Sequence, residues 1–120
     1  MDEITTEITP SFNVQIWLGI SEGYGGYTHL IEEVVEVCQK FVDKKKECVT
    51  ITPTEFVYTG GCEPGVVIGF IMYPRFVRSQ NEIVERAVEL GKILLTKFKQ
   101  NRITITTPLE SIMLKNKNAC

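Results

Sequence analysis

At 120 residues, with 43% hydrophobic and 23% charged side chains, the chain has the size and balance of one globular domain. A formal charge of −2 excludes the basic footprint of a duplex nucleic-acid binder. No apolar run reaches the roughly 18–20 residues that cross a bilayer. The acidic, threonine-rich start lacks the basic-then-apolar order of a signal peptide, so a cytoplasmic location with no membrane partner is expected.

In chain order, residues 1–12 read as a flexible segment, 13–114 as a single folded domain and 115–120 as a frayed tail. Asn13 to Ile20 alternates, with Val14, Ile16, Leu18 and Ile20 on one side and Gln15, Trp17 and Gly19 on the other, which predicts a strand. A glycine-rich turn follows, and Thr28 is placed to cap a helix reaching about Lys46. Its apolar stripe is Leu30, Ile31, Val34, Val37, Cys38 and Phe41.

Cys48 to Tyr58 alternates again, with Val49, Ile51 and Val57 opposite Thr50, Thr52, Thr54, Phe56 and Tyr58. Pro53 cannot donate to a ladder, so this strand belongs at a sheet edge. Gly60-Gly61 turns the chain into a third strand, Val66 to Tyr73, whose unbroken apolar run predicts cover on both faces. Ser79-Gln80-Asn81-Glu82 is a capping box opening a second helix, which ends near Asn101. Arg102 to Thr107 is a fourth strand, and Ile112 to Leu114 extends the sheet or docks along its edge.

The order β-α-β-β-α-β predicts an α+β, ferredoxin-like βαββαβ fold, a four-stranded antiparallel sheet with two helices on one face. The other face is then open and carries Trp17, Thr50, Thr52, Thr54, Phe56, Tyr58, Thr104 and Thr106. An uncovered aromatic face exceeds what a monomer leaves wet, so a homo-oligomer is expected, with interfaces that can also form a pocket.

Candidate ligand-binding residues fall in three places. The open face offers Trp17, Thr52, Thr54, Phe56 and Tyr58 for stacking and hydrogen bonds. The loop between the first strand and first helix offers Tyr24, Gly25, Tyr27 and His29 beside unpaired helix amides. The corner after the third strand offers Tyr73, Arg75 and Arg78, with guanidinium forks suited to phosphate. The four cysteines contain no C-x-x-C pair and His29 is the lone histidine, so neither a metal site nor a cofactor is expected. One histidine and no nucleophile–base set argue against an enzyme.

The stretch from Cys48 to Gly61, followed by Tyr73-Pro74-Arg75-Phe76, resembles a small family encoded largely in bacteriophage genomes. By fold and setting that family is similar to phage sponge proteins that sequester nucleotide immune signals, such as the cyclic ADP-ribose variants of Thoeris defence. The resemblance implies a non-enzymatic binder of a small nucleotide-like ligand, acting as an anti-defence sponge. The alternative is a module that inhibits a host protein directly through its open sheet face.

Overall fold

The structure is a computed structural model, and it describes residues 3–23 and 26–117. Its elements are β1 (Val14–Gly19), α1 (Ile31–Lys45), β2 (Thr50–Tyr58), β3 (Gly61–Phe70), a 3-10 turn (Pro74–Phe76), α2 (Gln80–Lys97), β4 (Arg102–Thr106) and β5 (Ser111–Lys115). The α+β class and the two helices match expectation. The strand count does not, because the antiparallel sheet has five strands in the order β2-β3-β1-β4-β5.

The fifth strand forms because residues 111–115 alternate, with Ile112 and Leu114 turned inward and Met113 and Lys115 outward. Thr107 sets up the tight reversal before it, its hydroxyl accepting from the amides of Leu109 and Glu110 at 3.0 Å each. The third strand also begins earlier than expected. Gly60, at φ 87°, turns the chain one residue earlier, and Gly61 already pairs with Tyr58. The resulting hairpin is long: the pairs Phe56–Glu63, Val57–Cys62 and Tyr58–Gly61 extend past the end of β1, whose last partner is Gly65.

Both helices cover one face. Val34, Cys38 and Phe41 of α1 and Ile83, Ala87, Leu90 and Leu94 of α2 meet Val14, Ile16, Leu18, Val66, Ile68 and Phe70 in one dry core. Ser79 caps α2 as expected, accepting from the Glu82 amide at 3.1 Å. Thr28 does not cap α1. It bridges to Ser21 across the loop, and the Glu33 carboxylate takes the Leu30 amide instead, at 2.6 Å. A carboxylate there also suits the positive end of the helix.

Candidate functional site

The strand register sorts every side chain to a face. Gln15, Trp17 and Gly19 of β1 lie opposite Gly69, Val67 and Gly65 of β3, and Thr50, Thr52 and Thr54 of β2 complete those rows. Phe56 pairs with Glu63 in the overhanging hairpin, and Thr104 and Thr106 pair with Trp17 and Gln15 from the other side. The expected aromatic and threonine face is therefore present, uncovered by any element.

Two glycines shape it. A Cβ on Gly65 would stand 2.2 Å from Cε2 of Phe56 and 2.6 Å from the Leu18 carbonyl oxygen. A Cβ on Gly69 would stand 2.5 Å from the Thr50 hydroxyl. Glycine at both positions lets Phe56 and Thr50 lean across β3, which is why that strand is covered on both sides despite having helices on only one. At the other side the indole Nε1–H of Trp17 donates to the Thr106 hydroxyl at 2.9 Å, and that hydroxyl donates to Gln15 Oε1 at 3.1 Å. The chain of bonds pins the indole, which remains 36% exposed.

Between these aromatics the face dips at Gly19. Two polar groups reach over it: Gln100 Oε1 would lie 3.1 Å, and Glu63 Oε1 3.3 Å, from a Cβ placed there. Gln100 is held by its amide, which donates to the carbonyls of Ser21 and Phe98 at 3.0 Å each, so its oxygen is left free to accept. Glu63 makes no hydrogen bond or ion pair among the described residues, and it is the one carboxylate the register puts on this face. The sequence reading missed both. The alternation Gly61, Glu63, Gly65, Val67, Gly69 carried the signal for Glu63, had β3 been started at Gly61.

The loop residues lie elsewhere. Tyr24 and Gly25 fall outside the described residues. Tyr27 and His29 line a separate cleft between the start of α1 and the end of α2, on the helix side. His29 Nε2 is 2.5 Å from a Glu22 oxygen and Nδ1 is 3.2 Å from a Glu33 oxygen, with Tyr27 and Phe98 edge-on to the ring. The imidazole clasps the loop to α1 and α2, and both of its nitrogens are occupied.

The corner residues lie at the opposite end of the sheet. Tyr73, Arg75 and Arg78 line a cavity of about 340 Å³ with Ile71, Phe76 and Cys48. Arg78 is nearly buried, its side chain 10% exposed. It pairs with Glu47, whose side chain is 3% exposed and also faces Arg86 Nε at 3.2 Å, off the hydrogen-bond direction. Arg75 is exposed and unpaired among the described residues. The Tyr73 hydroxyl meets Cys48 Sγ at 3.7 Å, and that bond, with some desolvation, raises its pKa. The three candidate groups thus occupy three separate places, and only the open face gathers aromatics, an unpaired carboxylate and a free acceptor.

No family model and no curated protein sequence matches the chain. The structure is similar to a phage SAM lyase in complex with S-methyl-5'-thioadenosine, with a TM-score of 0.81 and 18% identity over 99% of this chain and 100% of the other. It is also similar to a phage SAM lyase in the apo state, with a TM-score of 0.77 and 18% identity over 96% and 98% of the two chains. This likeness corrects the non-enzymatic reading, in both its sponge and its protein-blocking form. That reading rested on a missing nucleophile–base set and on analogy of fold and setting, whereas the full-length fold is the one those lyases carry. Among the described residues no helix is long and apolar enough to cross a membrane. End to end, the chain has the fold of the phage SAM lyases.

Proposed function

We propose that this protein is a lyase that cleaves S-adenosylmethionine, releasing S-methyl-5'-thioadenosine, and that the reaction takes place on the open sheet face around Gly19. The observation that carries the assignment of place is the convergence of Glu63 and the Gln100 oxygen on that dip, with Phe56 leaning over the neighbouring Gly65 and Trp17 two residues before Gly19 on β1. The ligand has three parts to satisfy: a flat purine, a ribose and a sulfonium next to an ammonium. Aromatic faces suit both the purine and the cation. Gln100 Oε1 accepts from a ribose hydroxyl or the purine amine. Glu63 supplies the opposite charge for the sulfonium side.

The corner cavity fits this cation less well. Among the described residues Arg75 and Lys46 stand unpaired at its walls and two arginines share the single Glu47 carboxylate, leaving an excess of positive charge.

The chemistry explains why a lyase carries no nucleophile–base set. The bond from sulfur to the amino-acid chain breaks with its electron pair moving to sulfur, which turns a sulfonium into a neutral thioether. The remaining four-carbon fragment is completed either by loss of a neighbouring proton or by a bond from its own carboxylate. Neither route adds water or a protein nucleophile. Positive charge at sulfur disappears along the way, so a site that replaces water with aromatic surface favours the transition state over the ground state. Glu63 pairs with the ammonium, whose charge persists through the reaction, and, on the proton-loss route, is the base on this face.

The test is direct. Incubating the purified protein with S-adenosylmethionine should yield S-methyl-5'-thioadenosine by mass spectrometry, and Glu63→Gln should cut the rate at least tenfold, about 1.4 kcal/mol of transition-state stabilisation. If the folded protein returns the substrate intact, the proposal is wrong.

A further inference from the structure

The N-terminal arm is the part of the molecule that makes least sense alone. Ile4 and Ile8 are 93% and 88% exposed, and the first side chain of the arm to enter the core is Phe12. The molecule measures 56 × 31 × 31 Å with a radius of gyration of 16.0 Å, against roughly 13.5 Å for a compact chain of this length. Written as a strand, residues 3–9 are amphipathic: Ile4, Thr6 and Ile8 share one side, Glu3, Thr5 and Glu7 the other.

The sheet offers one edge that matches. β2, at one end of the sheet, is blunted by Pro53. β5, at the other end, has no proline, and its only strand partner among the described residues is β4. Ile112 and Leu114 are only half covered on its helix side, at the same two-residue period as the arm. On its open side Lys115 lies directly across from Arg102, a like-charge pair with no acidic partner among the described residues. Such a pair is unfavourable unless something negative sits beside it. All thirteen Lys and Arg residues lie at or beyond residue 40, so the arm is purely acidic and the β5 edge basic.

We propose that residues 3–9 of one copy add as a further strand to the outer edge of β5 in a second copy. Ile4 and Ile8 then extend the helix-side apolar row beyond Ile112 and Leu114, and the glutamates reach the Arg102–Lys115 pair. Main-chain bonds along the edge supply the affinity, and the alternate side chains fix the face. The copy served is a different one because of reach. From β1 to the outside of β5 is three strand spacings, roughly 14 Å. The four residues from Ile8 to Phe12 span at most about 14 Å fully extended, leaving nothing for rounding the β4–β5 turn. Each arm serves one neighbour and each edge takes one arm, so the assembly closes as a pair or a ring. This inference stands on the arm and edge alone and is independent of the lyase reading.

The experiment is disulfide trapping between two differently marked chains, both with Cys48→Ser, Cys62→Ser and Cys120→Ser. One chain carries Thr5→Cys, the other Met113→Cys. Oxidising the mixture should give a linked species of twice the chain mass, and Ile4→Asp with Ile8→Asp in the first chain should remove it and lower the assembly mass in sedimentation. No link in the mixture, or a link found only when both cysteines are on one chain, overturns the proposal.

Discussion

The two faces of the sheet are built from the same strands by opposite rules. On the helix side Val14, Ile16, Leu18, Val66, Ile68 and Phe70 interlock with both helices and exclude water. On the open side the same strands carry Gln15, Trp17, glycines and threonines, and Phe56 and Thr50 lean in over β3 from β2. The helix face is held by volume, so its tolerance is set by packing. The open face is held by hydrogen bonds and by missing Cβ atoms, so its tolerance is set by shape and polarity. A protein can therefore lose its site without losing its fold.

That contrast breaks most visibly at Ile16 and its neighbour Trp17. Ile16→Ala, a fully buried truncation, should cost about 2–5 kcal/mol in denaturant unfolding. Trp17→Thr, adjacent but outward, should cost well under half of that, yet abolish the S-methyl-5'-thioadenosine production proposed above. Equal losses of stability for both would erase the distinction between the faces.

The dry face also has a pH signature. Burial pushes the Cys38 thiol up from 9.0 to about 11. The native state then holds a proton that the unfolded state releases, so stability is full below about pH 9 and falls as pH rises toward 11, by roughly 2–3 kcal/mol. Comparing unfolding of the protein and Cys38→Ala at pH 8 and pH 10.5 checks this. An identical pH slope in the two would show the thiol is not responsible.

On the open face Gly65→Ala should destabilise by about 1–3 kcal/mol, because the new methyl must displace the Phe56 ring and meets the Leu18 carbonyl. The proposed lyase activity should fall further than stability explains. The smallest effect is expected at the Ser79 cap, far from both faces' centres, where Ser79→Ala should cost about 1 kcal/mol and leave activity intact.

Much of the scaffold could be read from residues alone. The alternation of Val14 to Ile20 gave both faces of β1, Pro53 announced an edge strand, and Ser79 with Glu82 marked the start of α2 within a residue. β5 was harder, since Ile112-Met113-Leu114 is short and only the Thr107 turn, whose hydroxyl works through space, turns it back onto β4. Of the candidate site, the aromatic positions on the open face could be read from the sequence and the carboxylate could not. Glu63 matters through its register against Phe56 and its reach over Gly19, and pairing across strands cannot be seen in a linear list. A lone histidine in a glycine-rich loop invites a ligand role, and what no linear list shows is that both ring nitrogens of His29 face glutamates. The absence of a nucleophile misled most. It excludes hydrolysis by a protein nucleophile, and the sulfonium substrate proposed above brings its own leaving group.

The overhanging hairpin gives the face two mechanical halves. Trp17 and Gly19 sit on β1, with its neighbours β3 and β4 flanking it, whereas Phe56 and Glu63 sit past the end of β1, paired only to each other's strand. Local opening is easiest where ladder bonds run on one side alone. The dip at Gly19 is therefore a vise with one fixed jaw and one that swings. Amide exchange should find Phe56 to Glu63 opening far more often than Trp17, and a bound nucleoside should slow the first group without changing the second.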